Sequence, residues 1–182
     1  MGDKEEWRKR RDAFWQRLQD AVERDNGIRT ILKRNAGTQL CEADGNATAA
    51  FYRIYGGGLV SEWKEDRCFF AVCVSCLWKP EDWKRAVSMV EGARKFLDSE
   101  SKETFGKKMK VLMDLPWDRD GFLAGKLCRL LKFCQSKGIV VDGKELLEDL
   151  LSWDRDDRQI QRKWAREFYR IESDKGGNTN VD

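Results

Sequence analysis

Cys68-Phe-Phe-Ala-Val-Cys-Val-Ser-Cys-Leu-Trp78 is a run of eleven residues with one hydroxyl and no charge. A segment that is apolar all round has no face to offer water, so it reads as a helix buried on every side with other elements packed around it. Upstream, Ala47, Ala50, Phe51 and Ile54 recur at helical spacing and are closed by Gly56-Gly57-Gly58, a flexible joint. Before them Ile28, Ile31 and Leu32 line a short helix that carries Arg29 and Lys33, four apart, on one side. Trp7, Phe14, Trp15, Leu18 and Val22 form the face of a first helix, which Gly27 is expected to stop.

Downstream, Lys79-Pro80-Glu81-Asp82 has the Pro and carboxylates of a helix start, and the helix it opens is expected to run through Trp83, Val87, Val90 and Phe96 toward Leu97. Ser99 to Lys102 is expected to be a link, followed by a short helix with Phe105, Met109 and Leu112 that ends before Pro116. Asp118 or Asp120 is expected to cap the next helix, which turns Leu123, Leu127, Leu130, Leu131 and Cys134 inward. Asp142-Gly-Lys-Glu145 resembles a capping box ahead of Leu146, Leu147, Leu150 and Leu151, and Ile160, Trp164, Phe168 and Ile171 make a last helix. The expectation is an all-α protein of eight or nine helices in two small bundled lobes, 1–98 and 103–172, with a disordered tail over 173–182 and no repeat of fixed period.

Composition narrows the function. Eight Trp, nine Phe and three Tyr in 182 residues, with 41% hydrophobic residues, demand a packed core. The chain contains no His, which removes Ser-His-Asp and Cys-His catalysis, the HExxH metalloproteases and His-metal centres. Its net charge of +3 is unevenly spread: residues 101–140 hold 9 basic and 4 acidic groups, while residues 141–182 hold 8 and 11. A second basic island lies between Gly27 and Gly37, where Arg29, Lys33 and Arg34 stand without a carboxylate. Such islands suit either a polyanion partner or a solvated helix face, and charge alone leaves both open.

Other candidate chemistry reads as structural. Cys73-Val-Ser-Cys76, with Cys68, Cys128 and Cys134, could offer thiolates to zinc, but the pair sits inside an apolar run, where free Cys behaves as a small core residue. Gly56-Gly57-Gly58 lacks the Lys-Ser/Thr of a phosphate loop, and Asp154, Asp156 and Asp157 lack the spacing and Gly of a calcium loop, so they read as helix-start acids. Six Cys without a recognisable signal peptide, and no apolar stretch near 18 residues, point to reduced thiols in the cytoplasm, which makes the sequon Asn46-Ala47-Thr48 incidental. No carboxylate pair stands out, so no feature favours an enzyme, a cofactor or a small-molecule substrate.

The order of motifs adds a resemblance. A Trp-containing first helix precedes Gly-Ile-Arg-Thr-Ile-Leu-Lys-Arg-Asn-Ala (27–36) and Ala50-Phe51-Tyr52-Arg53. After the apolar helix come Phe105-Gly106-Lys107-Lys108, Leu127-Cys128-Arg129-Leu130-Leu131, Asp149-Leu-Leu-Ser-Trp153 and Trp164-Ala-Arg-Glu-Phe-Tyr169. Over residues 7 to 170 this resembles the CasB family, the small subunit of the type I-E CRISPR surveillance complex, Cascade, which serves antiviral defence.

The resemblance implies a two-lobed, non-catalytic helical protein that uses neither cofactor nor metal. Its partners would be the other Cascade subunits, a second copy of itself, the guide RNA–target DNA hybrid and the displaced non-target strand of the R-loop, with no membrane involved. The motifs carry nucleic-acid binding onto Arg29, Lys33, Arg34, Arg53, Lys107, Lys108 and Arg129, while Lys110 and Lys132 join them on charge and helical spacing. Two positions depart from the family pattern: Lys107-Lys108 and Cys128 stand where members often carry Arg, which alone grips phosphate bidentately. Trp153, Trp164 and Phe168 read as core. A helical protein-protein adaptor that never touches nucleic acid is the alternative from another class, and a nucleic-acid-modifying enzyme is the third.

Overall fold

A computed structural model describes residues 2–170 of the chain; Ile171 and the tail over 173–182 lie outside the described residues. The architecture is all-α. Among the described residues nine α-helices follow in order: α1 (Gly2–Arg24), α2 (Asn26–Arg34), α3 (Gly45–Tyr55), α4 (Glu65–Ser75), α5 (Met89–Phe96), α6 (Ser99–Met113), α7 (Phe122–Ser136), α8 (Gly143–Leu151) and α9 (Gln159–Phe168). The described residues hold no strand, only an isolated parallel bridge between Val87 and Val141.

The apolar run forms α4 and the turn after it, and every residue from Arg67 to Trp78 is buried. Its two sides belong to different core clusters. Phe70 and Val74, with Leu77 and Trp78 beyond the helix end, face a cluster built from α5 to α9 that includes Phe105, Leu127, Leu131 and Trp153. Phe69, Val72, Cys73 and Cys76 face the other, with Phe14, Leu18, Leu32, Phe51 and Tyr55 of α1, α2 and α3. The sets are spaced i, i+4, i+7, i+8 and i, i+3, i+4, i+7, two helical faces that together leave the run no polar side. α8 packs along α4 and serves both clusters, sending Leu146 and Leu150 to one and Leu147 to the other.

A buried helix must also satisfy the carbonyls at its C-terminus, which lack partners within the helix. Side chains from three elements do this. Trp83 Nε1 donates to Ser75 O at 3.2 Å, Gln135 Nε2 donates to Leu77 O, and Arg29 Nε donates to Trp78 O at 3.3 Å. At the other end Arg67 is buried as an ion. Its Nη2 pairs with Asp154, and its guanidinium lies 5.2 Å from the Trp63 ring centre and 5.8 Å from that of Trp117. Asp154 is therefore not a helix-start acid: α9 begins only at Gln159, and Asp154 instead holds Arg67 and accepts from Trp117 N at 2.9 Å.

Four boundaries differ from the sequence expectations. Gly27 does not stop α1; the break is at Asp25, whose carboxylate accepts from Gly27 N at 2.7 Å and caps α2, leaving Gly27 inside that helix. Ser99 to Lys102 is not a link but the first turn of α6, because Asp98 caps it through Ser101 N. Neither Asp118 nor Asp120 caps α7; Gly121 precedes it at φ 69°, a left-handed conformation that glycine adopts without penalty. The helix expected from Pro80 to Leu97 is split, since Pro80–Arg85 is a 3-10 turn and Val87 is extended, hydrogen-bonded to Val140 and Asp142, before α5 begins.

Two glycines in matched positions test how tightly α8 meets α4. Gly143 and Gly45 each open a helix behind an Asp cap, yet a Cβ at Gly143 would strike Ser75 Oγ and lie 2.9 Å from Trp15 Cη2, whereas one at Gly45 meets nothing within 4 Å. Gly143→Ala should cost roughly 2 kcal/mol or more of stability in urea unfolding. Gly45→Ala should change stability by less than about 1 kcal/mol, toward stabilisation. Equal effects would contradict the close α4–α8 contact.

Candidate nucleic-acid interface

α2 buries Leu32 in the core and leaves Lys33 and Arg34 exposed, with Arg29 half-buried beside them. Arg29 is drawn to the C-terminal end of the buried run, where carbonyl dipoles favour a cation. Arg29 and Lys33 line one shallow groove of about 440 Å³ with Trp78, Lys79, Arg85 and Gly138. The two acids in that groove are engaged: Asp82 pairs with Arg85 at 2.9 Å and Glu81 with Lys79 at 3.7 Å. Arg29 and Lys33 have no carboxylate partner among the described residues, so the groove keeps a net positive charge.

The next basic group adjoins this one. Gly37, at φ 91°, lies flush against α7, where an added Cβ would sit 2.9 Å from Cys128 Cβ. The end of the first island thus abuts the residue before Arg129. Arg129 is exposed, with Nε donating to Gly125 O at 3.3 Å, and Lys132 is exposed one turn further on. Burial raises the Cys128 thiol pKa, and the charges of Lys132 and Arg129 partly offset that rise.

The remaining expected residues occupy other elements. Arg53 is exposed in the last turn of α3, ahead of Gly56, Gly57 and Gly58, all at positive φ. Lys107, Lys108 and Lys110 are exposed on α6, and Lys107 is engaged by Glu103 at 2.6 Å. Gly106 lets α9 approach, since a Cβ there would lie 3.0 Å from Phe168 Cε1; this sets Lys107 and Lys108 near the exposed Tyr169. No hydrogen bond or ion pair among the described residues joins the α6 lysines or Arg53 to the first island. The structure therefore brings together Arg29 with Lys33, and that island with Arg129 and Lys132, but not the whole set.

Lys79 and Arg85 escaped the sequence reading. The only signal for them was the alternation of acid and base after Pro80, which suggested a capped helix rather than a groove wall. Trp153 and Trp164 are buried, packing edge to face at 5.0 Å, and Phe168 packs on Phe105 at 5.2 Å. Cys73 and Cys76 lie in the core, where burial pushes the Cys76 thiol up to about 12 and that of Cys73 well above its ordinary value. No group of three or more Cys, Asp or Glu among the described residues is placed to hold a metal ion, and no helix there is long and apolar enough to cross a membrane.

Comparisons with known proteins add to this geometry. The family model described as CRISPR-associated protein Cse2 matches residues 29–169. The crystal structure of CasB from Thermus thermophilus is similar at a TM-score of 0.64 and 20% identity, covering 85% of this chain and 96% of that one. A chain of a CRISPR RNA-guided surveillance complex gives a TM-score of 0.67 at 20% identity over 89% of this chain and 92% of that one. The crystal structure of M. ruber CasB gives 0.63 at 19% identity, over 88% and 93%. No curated protein matches.

The burial pattern of the thiols leads to a count. Only Cys41 is exposed, and the other five are buried in the fold. A disulfide-exchange reagent should modify one thiol rapidly in the native chain and the rest only on unfolding, because attack needs an accessible thiolate. Rapid modification of two or more native thiols would contradict the packing.

Proposed function

The chain belongs to the CRISPR-associated Cse2 family, and we propose that it is the non-catalytic small subunit of an RNA-guided surveillance complex of the Cascade type. In this reading it binds nucleic-acid backbone through its basic surface, steadying the guide–target hybrid and the displaced strand in the cytoplasm, beside other subunits and a second copy of itself.

What supports the reading is the groove of Arg29 and Lys33, cations without carboxylate partners among the described residues, with Gly37 at the end of their segment packed on the helix that bears Arg129 and Lys132. Positive charge held on a rigid face attracts phosphate irrespective of sequence, as a subunit must when base pairing does the reading. Exchange of a DNA duplex for an RNA–DNA hybrid is nearly balanced, so a few backbone contacts can decide it. Arg34, Arg53, Lys107, Lys108 and Lys110 would extend the path. Catalysis has no place in this reading, which uses only fixed charge.

The experiment is DNA binding by the isolated chain over a range of salt. With about three or four phosphates neutralised, log K should fall with log salt at a slope of about −3 on duplex DNA. Arg29→Ala with Lys33→Ala should flatten that slope more than Lys79→Ala with Arg85→Ala, because Glu81 and Asp82 already neutralise the second pair. A salt response that is flat in the wild type would contradict the electrostatic reading. Cleavage of nucleic acid with Mg²⁺ or Mn²⁺ that vanishes on changing one carboxylate would contradict the absence of catalysis.

A further inference from the structure

An arginine recurs at every fourth residue along α9: Arg158, Arg162, Arg166 and Arg170, the first just ahead of the helix and the last just beyond it. All four are exposed, on the side opposite the inward residues Ile160, Trp164 and Phe168. Arg158 is structural. Its Nη2 donates to Met113 O at 2.7 Å and pairs with Asp114 at 3.1 Å, tying the start of α9 to the end of α6. Arg162, Arg166 and Arg170 have no side-chain hydrogen bond or ion pair with any described residue.

The acids around these three have cations of their own. Asp157, at the start of α9, is held by Arg155 at 3.2 Å. Arg166 and Arg170 line a shallow groove of about 640 Å³ against α5, in which Glu91 pairs with Lys95, Glu145 with Lys163 at 2.9 Å and Glu167 with Arg94 at 3.2 Å. Lys163 also holds Asp149 at 2.8 Å, so it adds nothing to the surplus, which rests on the arginines. The helix dipole accounts for a cation in the last turn, Arg166, but not for a stripe that begins a turn earlier and runs past the end.

The stripe ends beside an open aromatic ring. Tyr169 is 53% exposed and packs edge to face on Phe168 at 5.0 Å. Among the described residues its hydroxyl has no hydrogen bond and no cation lies over its ring. It rests over Gly106, where an added Cβ would lie 3.6 Å from Tyr169 Oη, and Lys107 and Lys108 follow on α6. Arginines in succession that end at an accessible ring make a charged track with a stacking platform. Arginine grips a phosphate bidentately. The ring gains from a base only when that base is unpaired, because a duplex keeps its base faces stacked on one another. A carboxylate-bearing protein segment would satisfy the arginines and leave Tyr169 without a role.

We propose that the outer face of α9 binds single-stranded nucleic acid, with phosphates on Arg162, Arg166 and Arg170, an unpaired base on Tyr169, and Lys107 and Lys108 continuing the track. Preference for an unpaired strand goes beyond the phosphate attraction of the groove beside α2 and follows from these residues alone; that the strand is one opened in an R-loop rests on the function proposed above.

The test is anisotropy titration of a labelled thymidine oligonucleotide, and of a duplex of equal length, with the full chain. Arg162→Gln with Arg166→Gln and Arg170→Gln should weaken single-strand binding about ten-fold or more and make its salt slope shallower by about 2, at about 0.7 per phosphate. Lys4→Gln with Arg8→Gln and Lys84→Gln removes the same charge from exposed positions elsewhere and should weaken it less than about three-fold. Tyr169→Ala should weaken single-strand binding about five-fold or more at an unchanged salt slope, and duplex binding less than about two-fold. Tyr169→Phe should bind as the wild type does, because stacking needs the ring and not the hydroxyl. All of these variants should melt with the wild type, since exposed side chains contribute little to stability. Arg29→Ala with Lys33→Ala should flatten the duplex salt slope and leave the Tyr169 effect on single strands intact, which separates failure of that groove from failure of this track. Equal losses from the two charge-removing triples would overturn the proposal. So would Tyr169→Ala that binds single strands normally or loses duplex equally, or polyglutamate that displaces the labelled strand as readily as unlabelled oligonucleotide does.

Discussion

A helix that is apolar all round must be covered on every side, and its ends must still find hydrogen bonds. α4 imposes both conditions, and most of the fold answers them. The first condition divides the core: Phe70 and Val74 turn toward α5 to α9, while Phe69, Val72 and Cys73 turn toward α1 to α3. The second reaches the functional surface. Trp83, Gln135 and Arg29 converge on the carbonyls at the C-terminal end of the run, and two of these anchors, Arg29 and Gln135, line the basic groove. The cation most exposed to a role in binding is therefore held in place by the same carbonyls that make the buried helix affordable.

Charge on this protein is arranged by local pairing rather than by net amount. A value of +3 on 182 residues would steer nothing strongly if it were uniform. In the groove beside α2 the carboxylates are consumed by Lys79 and Arg85, so Arg29 and Lys33 present uncompensated charge. Arg67 is the reverse case, a cation consumed by Asp154 inside the fold that adds little to the surface potential.

The parts legible in the sequence are those whose cause is local. An unbroken apolar run marks α4, helical period marks α7 and α8, and the Asp142 cap is visible because its donors, Lys144 N and Glu145 N, lie two and three residues away. The errors also have local causes that compete: Asp25 caps before Gly27 can terminate, and Asp98 draws a polar stretch into α6 that composition alone marks as a link. Arg29 and Lys33 stand out as cations without neighbouring acids. Nothing local announces that Arg67 meets Asp154, 87 residues away, or that Gly37 rests on Cys128, since those contacts exist only after the helices have packed. Lys79 and Arg85 are concealed for a different reason, their own adjacent acids.

The central claim is that the basic surface acts on nucleic acid within an assembled complex. Its most direct test is target-strand opening by reconstituted complexes that carry Lys33→Glu with Arg34→Glu, or Lys107→Glu with Lys108→Glu, at two salt concentrations. Each pair changes the local charge by about −4 and should turn attraction for phosphate into repulsion. The account predicts that the variant subunits are incorporated normally while opening of a matched target falls, more steeply at low salt. Normal opening with loss of incorporation would contradict it and make these residues a protein-docking surface.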